Sequence, residues 1–276
     1  MNGLSTHFTT PDLSGIRLHT LSWGETGRPE LILLHGGGAN AHWWDHIAPL
    51  LSDRFHVTAL DFRGHGASDF PEEVETGGFD SDLEALVDHL ATDSVFLIGH
   101  SMGARVALDF ASKSEKTRAL VLIDLARGGD ARQKRRGRLA LALRRSYASR
   151  EEAIERYRFL PAADRVAEPL RDSIARKSIR CEPDGRFSYA FDPRWFGVAA
   201  SHRPDPGGVE CPVLILRGEE SRLLTEAGAQ ELAGELREAR LEVVASAGHH
   251  VQLDQPDMTS RLINDFLDDV CARESV

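Results

Sequence analysis

Gly99-His100-Ser101-Met102-Gly103 is the segment of this sequence with the clearest chemical potential. It follows the apolar run Val95 to Ile98 and opens a helix-like stretch from Met102 to Ser112. A serine on a sharp strand-to-helix turn, with glycine two residues to either side to let the backbone close up, is a nucleophile elbow. The serine hydroxyl is a weak nucleophile at neutral pH, so a base must take its proton as it attacks. Of twelve histidines, His249 is best placed, in Ala247-Gly248-His249 between the run Leu241 to Val244 and a helix opened around Gln255-Pro256. His250 competes, but a neighbour on a turn points elsewhere, and the Gly-His step favours His249. A carboxylate must hold that imidazole in one tautomer and stabilise its charged form. Two places are open for it: Asp124, at the end of Leu122-Ile123-Asp124, and Glu219 or Glu220, within Arg217 to Ser221. The backbone N–H of Met102, next after the nucleophile, is one donor to the oxyanion that acyl transfer would create.

Such groups need a scaffold that gathers strand ends. The apolar runs are short: Leu31 to Leu34 before His35, Val57 to Leu60 before Asp61, Val95 to Ile98, Leu120 to Ile123 before Asp124, and Val213 to Leu216 before Arg217. Continuous runs of this length suit strands covered on both faces, as in a parallel sheet. Helical stretches between them, at roughly 40–52, 80–90, 102–112, 225–238 and 256–270, predict right-handed βαβ units. Residues 16–23 read as an amphipathic strand at the sheet edge. The rhythm stops between about residues 126 and 208, where no strand-like apolar run occurs. From Arg127 to Arg171 there are 13 Lys or Arg against 6 Asp or Glu. The expectation is an α/β core of residues 1–125 and 209–276, interrupted at 126–208 by a helical cap whose basic balance is either solvated surface or a guide for an anionic substrate.

The whole chain of 276 residues is acidic, with 33 basic against 43 acidic side chains and a net charge of −10. That balance argues against nucleic acid or an anionic membrane as partner. The five basic residues between Arg132 and Arg138 are too few to reverse it. At 41% hydrophobic and 28% charged, the composition excludes disorder as the main state. Cys181, Cys211 and Cys271 have no C-x-x-C spacing and no histidine at ligand spacing, so neither a disulfide framework nor a metal site is expected. Without a leader-like start or a run of about 18 apolar residues, the reading is a cytoplasmic monomer or homodimer that needs no cofactor.

Four motifs in order carry a resemblance: His35-Gly36-Gly37-Gly38, Asp61-Phe62-Arg63-Gly64-His65-Gly66-Ala67-Ser68, the elbow at Ser101, and Gly248-His249. With them the chain resembles the α/β-hydrolase superfamily over essentially its whole length. The resemblance implies the α/β-hydrolase fold, a mostly parallel central sheet flanked by helices, with an inserted helical cap. Many members carry the acid as an aspartate three residues after a glycine at the end of the penultimate core strand. Counted from Gly218, that position is Ser221, which cannot be the acid. Other members carry it one core strand earlier, which assigns Asp124, with Glu219 or Glu220 as the fallback. The second oxyanion donor is implied to be Gly37, with Gly38 the second choice and Trp44 closing the segment. Asp61, Arg63 and His65 are implied to form a structural turn. Trp43, Trp44, Met102, Trp195 and Phe196 are apolar candidates for the pocket wall, Gly38 and His100 are further candidates for substrate binding with His100 expected behind the reacting groups, and Arg144, Arg145, Arg156 and Arg158 are candidates for holding a substrate carboxylate.

The expected activity is hydrolysis of a small carboxylic ester through an acyl-enzyme on Ser101. An amide or C–C bond hydrolase acting on a small carboxylated metabolite uses the same groups. The basic insertion, the acid at Asp124 and the chain length make the sequence similar in part to the 2-(acetamidomethylene)succinate hydrolase type. Serine at the elbow argues against the haloalkane dehalogenase and epoxide hydrolase branches, whose nucleophile is aspartate. A non-catalytic small-molecule receptor is the third class, disfavoured because serine, histidine and an acid are all present.

Overall fold

The computed structural model describes residues 3–10, 15–130, 135, 139–143, 145–198 and 204–273. Arg144 and all of the Arg132–Arg138 cluster except Arg135 lie outside them. In chain order the elements are β1 (Leu4–Thr10), β2 (Ile16–Trp23), β3 (Glu30–Leu34), β4 (His56–Asp61), α1 (Gly78–His89), β5 (Val95–His100), α2 (Met102–Lys113), β6 (Thr117–Ile123), α3 (Arg150–Glu155), α4 (Glu168–Lys177), β7 (Ile179–Cys181), β8 (Phe187–Tyr189), α5 (Trp195–Val198), β9 (Val213–Gly218), α6 (Glu226–Glu235), β10 (Ala239–Val244), α7 (Val251–Asp254) and α8 (Pro256–Arg273). Eight strands form one sheet in the order β1-β2-β4-β3-β5-β6-β9-β10. Its first two joins are antiparallel and the rest parallel.

The continuous apolar runs are explained by two cores, one on each face. Successive strand side chains point to opposite faces. Ile32, Leu34, Leu97, Leu120, Leu122, Val213 and Ile215 therefore pack with α1, α2 and α6. Leu31, Leu33, Phe96, Ile98, Val121, Ile123, Leu214 and Leu216 pack on the other side with residues 41–55 and α8. A third, smaller core joins Tyr157, Phe159, Ile174, Ile179 and Tyr189 of the inserted segment to Ala39, Trp43 and Leu253.

Three expectations are corrected. Residues 40–52 form two short 3-10 turns, Ala41–Trp44 and Ala48–Leu50, rather than a helix. Pro49 lacks a backbone donor, and the Ala41 N–H is drawn instead to the Asp61 carboxylate at 2.6 Å. β2 is not the edge, because β1 pairs outside it; β1 is mostly polar, burying only Phe8 and Thr10, so no apolar run announces it. The inserted segment holds a two-stranded ribbon, β7 with β8, whose three-residue strands are too short to show a period. Among the described residues, no helix is long and apolar enough to cross a membrane.

Candidate active site

Ser101 stands between β5 and α2 at φ 52° and ψ −110°, a positive-φ conformation that a non-glycine residue keeps only when its surroundings hold it. The turn requires its glycines. A Cβ on Gly99 would lie 2.4 Å from the Gly103 carbonyl oxygen, and one on Gly103 would lie 2.4 Å from that of Leu34. The Ser101 N–H donates to the Ile123 carbonyl at 2.9 Å, tying the elbow to the end of β6.

Parallel register aligns the strand ends, His100 beside Ile123 and Ile123 beside Leu216. Ser101, Asp124 and the turn after β9 are therefore neighbours, and the loop after β10 brings in the imidazole. His249 Nε2 lies 2.9 Å from Ser101 Oγ, and His249 Nδ1 lies 2.7 Å from Asp124 Oδ1. An ionised carboxylate only accepts, so Nδ1–H donates to it and Nε2 is left to accept from the serine hydroxyl. Asp124 is wholly buried. Its carboxylate also accepts from the Ser221 hydroxyl at 2.6 Å and from the Gly218 N–H at 3.1 Å. Glu219 and Glu220 turn away, Glu219 accepting from the Ser246 N–H and Glu220 pairing with Arg165 at 2.5 Å. Of the three carboxylates weighed, Asp124 is the one brought to His249.

Two further buried histidines back this group. His100 Nε2–H donates to the His249 carbonyl at 2.9 Å, fixing the main chain that carries the imidazole. His250 Nε2–H donates to the Pro161 carbonyl of the inserted segment at 2.9 Å. Burial, and then the charge of nearby His249, holds the His100 imidazole well below its usual range and pushes His250 down to about 3, so both are neutral at pH 7. One ring nitrogen from each of His100, His249 and His250 lies within 4.8 Å of the other two. A metal ion there would have to compete for bonds already made to two carbonyls, Ser101 and Asp124.

In the loop after β3 the Gly38 N–H donates to His65 Nε2 at 3.4 Å, so it is already engaged. A Cβ on Gly37 would lie 2.6 Å from the Phe196 ring. Met102 heads α2, and the first N–H groups of a helix have no acceptor within it. A narrow cavity, with room for about one water molecule, lies between the Gly37–Gly38 loop and the inserted segment, whose Tyr157, Arg158, Phe159, Tyr189 and Phe191 line it; Ser101 and His249 do not.

Trp44 and Trp195 are not among these residues. Trp44 is in the core on the far face of the sheet, because neighbouring residues of a 3-10 turn diverge and it is Trp43 that stands edge-on to Phe159 and His250. Trp195 is buried against Phe79 in the other core. His100 lies behind His249, as expected of the residue before the nucleophile, and does not line the cavity. Arg158 lines the cavity, Arg145 stacks over Tyr189, and Arg156 is beside Glu152 at the surface. Tyr157, Phe159, Tyr189 and Phe191 were not expected; they sit in loops and three-residue strands without any periodic signal.

A doubly covered, mostly parallel sheet with a strained serine at the carboxyl end of a central strand is the architecture of an α/β hydrolase. The profile of the alpha/beta hydrolase family matches residues 31–262, and the chain belongs to that family. The chain is 28% identical to a Mycobacterium tuberculosis esterase over 91% of its own length and 86% of the relative's. It is 30% identical to the 2-(acetamidomethylene)succinate hydrolase of Mesorhizobium japonicum, over 90% and 92%. The crystal structure of an E-2-(acetamidomethylene)succinate hydrolase superposes with a TM-score of 0.84 at 26% identity, covering 96% of this chain and 99% of the other. The protein is a hydrolase.

Proposed function

We propose that the protein is a cofactor-independent serine hydrolase that cleaves a small carboxylic ester through an acyl-enzyme on Ser101. The observation that carries this reading is the continuous path Ser101 Oγ to His249 Nε2, 2.9 Å, and His249 Nδ1 to Asp124 Oδ1, 2.7 Å. Ser101 Oγ attacks the ester carbonyl carbon while its proton passes to His249 Nε2. The oxyanion accepts from the Met102 and Gly37 N–H groups, in a dry site where such donors are strongest. His249 then protonates the leaving alkoxide. Water attacks the acyl-enzyme, gives its proton to Nε2, and the acid leaves as Ser101 is restored. Asp124 stays ionised throughout and holds Nδ1–H. The inserted segment acts as a cap, and its aromatic wall favours a small acyl group. Labelling by a fluorophosphonate, together with turnover of short and long p-nitrophenyl esters by the wild type and by Ser101→Ala, tests the reading. It requires that only the wild type reacts and that short acyl chains are preferred.

A second reading, an amide or C–C bond hydrolase of a small carboxylated metabolite, is favoured by one observation. Among the described residues, Arg158 is the charged one lining the cavity, and no acid lines it. Hydrolysis of dicarboxylated amides in the same panel separates the two.

A further inference from the structure

Ser221 takes no part in the bond-making steps, yet its hydroxyl makes the shortest contact to the acid. Its Oγ lies 2.6 Å from Asp124 Oδ1, the oxygen that also accepts from His249 Nδ1–H. A serine hydroxyl ordinarily rotates to suit its neighbours. This one is committed, because the N–H groups of Leu223 and Leu224 both donate to Ser221 Oγ at 3.3 Å and occupy its acceptor side. Its single proton is left for Asp124. The main chain is pinned as well: the Ser221 N–H donates to the Gly218 carbonyl at 2.9 Å, while the Gly218 N–H reaches Asp124 Oδ2. One turn, from Gly218 to Leu224, thus grips both oxygens of a carboxylate that has no exposed surface. Fixed donors take the place of water there, and each favours the ionised form.

We propose that Ser221 is the positioning residue of the acid: its hydroxyl holds Asp124 Oδ1 in line with His249 Nδ1–H and sets how tightly the imidazole holds its proton. This rests on Ser101, His249 and Asp124 being the reacting set. The donor draws charge from Oδ1. Without it the carboxylate attracts a proton more strongly, whether on itself or on His249, and both changes have the same sign. The other titratable groups around the pair do not share the task. His100 and His250 are kept neutral by burial, Glu219 is turned to the Ser246 N–H, and Glu220 is paired with Arg165.

The test is Ser221→Ala, followed by the pH profile of kcat/KM on a short p-nitrophenyl ester. kcat should fall about 10-fold, the scale of a lost hydrogen bond to a charged group, with KM unchanged because Ser221 does not touch substrate. The acidic limb should move to higher pH by about half a unit to one unit. Ser221→Thr, which keeps the hydroxyl, should restore both. A second pair serves if Ser221→Ala folds poorly. Asp124→Asn/Ser221→Asp, which brings a carboxylate in from the other side, should exceed Asp124→Asn alone by about 10-fold or more. A folded Ser221→Ala enzyme with an unmoved limb and kcat within about two-fold of wild type overturns the proposal, as does a double variant no better than Asp124→Asn. Full activity in Ser101→Ala would strike the underlying reading instead.

Discussion

Two regions meet around Trp43 and His250, and they are held by different forces. On the sheet side each reacting group is fixed by directed hydrogen bonds from strand ends: Ser101 to Ile123, His249 to Asp124, Asp124 to Ser221 and Gly218, and His100 to the His249 carbonyl. Across the cavity, residues 157–191 present rings that rest on one another, Tyr157 on Phe159 at 5.5 Å, Tyr157 on Tyr189 at 5.0 Å and Tyr189 on Phe191 at 6.2 Å. Hydrogen bonds weaken steeply with angle and distance, whereas aromatic pairs hold over ring separations of about 4.5 to 7 Å. The sheet side should therefore be intolerant of change in rate, and the inserted side should be tolerant in rate but adjustable in selectivity.

The sharpest way to break that contrast lies on the sheet side. Ser101→Ala and His249→Ala should each lower kcat by on the order of 10⁵- to 10⁶-fold, and the double variant should lose little more, because groups acting as a unit are not additive. A circular dichroism melt near wild type would show that the fold is kept. Asp124→Asn should cost about 10⁴-fold in kcat. Glu219→Gln and Glu220→Gln should stay within a few-fold, since exposed pairs such as Glu220 with Arg165 contribute about 1 kcal/mol or less. The reverse ranking would move the acid to the turn after β9.

The same contrast governs what the sequence makes legible. Ser101 is marked locally by glycines that the close approach of other backbone demands, and His249 by the Gly-His step that follows a strand run. Asp124 is marked less well, because two strand ends carry carboxylates and only the register of β6 against β9 decides which one meets the imidazole. The hydroxyl at Ser221 is recognisable as a position but not as a donor, which only the tertiary placement of Asp124 makes it. The aromatic wall is not legible at all. Its residues sit where no period of 2 or 3.6 can develop, and adjacent Trp43 and Trp44 part company on a turn of four residues.

On the inserted side, Phe159→Ala should widen the cavity that Phe159 lines. The preferred p-nitrophenyl ester should become longer, with kcat/KM ratios between long and short chains changing by about 10- to 100-fold. Trp44→Phe is the matched control: it should lower the melting temperature, as core truncations do, and leave chain-length preference unchanged. A shift in preference from Trp44→Phe would place that ring nearer the substrate than the packing indicates.

Two histidines clamp the regions together and should make the clamp sensitive to pH. His250 bonds to the Pro161 carbonyl, and His65 lies against Phe191 and Gly38. Burial, and then a neighbouring histidine charge, pushes both down to about 3, whereas in the unfolded chain they titrate near 6.5. Below that value the unfolded chain takes up protons that the folded chain refuses. Stability is thus fully present above about pH 6.5 and declines as pH falls, by about 2 kcal/mol per histidine at pH 5. Melting temperatures measured between pH 7 and 5 should fall, and His250→Phe should flatten the slope. An unchanged slope would mean that the clamp does not control the transition.

The smallest expected effect concerns charge. Six described cations of the inserted segment face an acid: Arg127 with Glu231 and Glu235, Arg156 with Glu152, Arg165 with Glu220, Lys177 with Asp45, Arg180 with Glu182, Arg194 with Asp192. Beyond about 8 to 10 Å at physiological salt, such pairs present little field to a bound ligand. Arg158 differs. Its guanidinium donates to the Glu155 and Tyr157 carbonyls at 3.0 and 2.8 Å, so it keeps its full charge at the edge of the cavity. Arg158→Gln should raise KM about 3- to 5-fold for a p-nitrophenyl half-ester carrying a free carboxylate, and change it less than about two-fold for p-nitrophenyl acetate. Arg165→Gln should alter neither. Raising ionic strength should mimic Arg158→Gln on the carboxylated ester alone. If both esters respond equally to Arg158→Gln, the positive balance of the insertion is solvated surface, the second reading loses its support, and selectivity on that side rests on the rings.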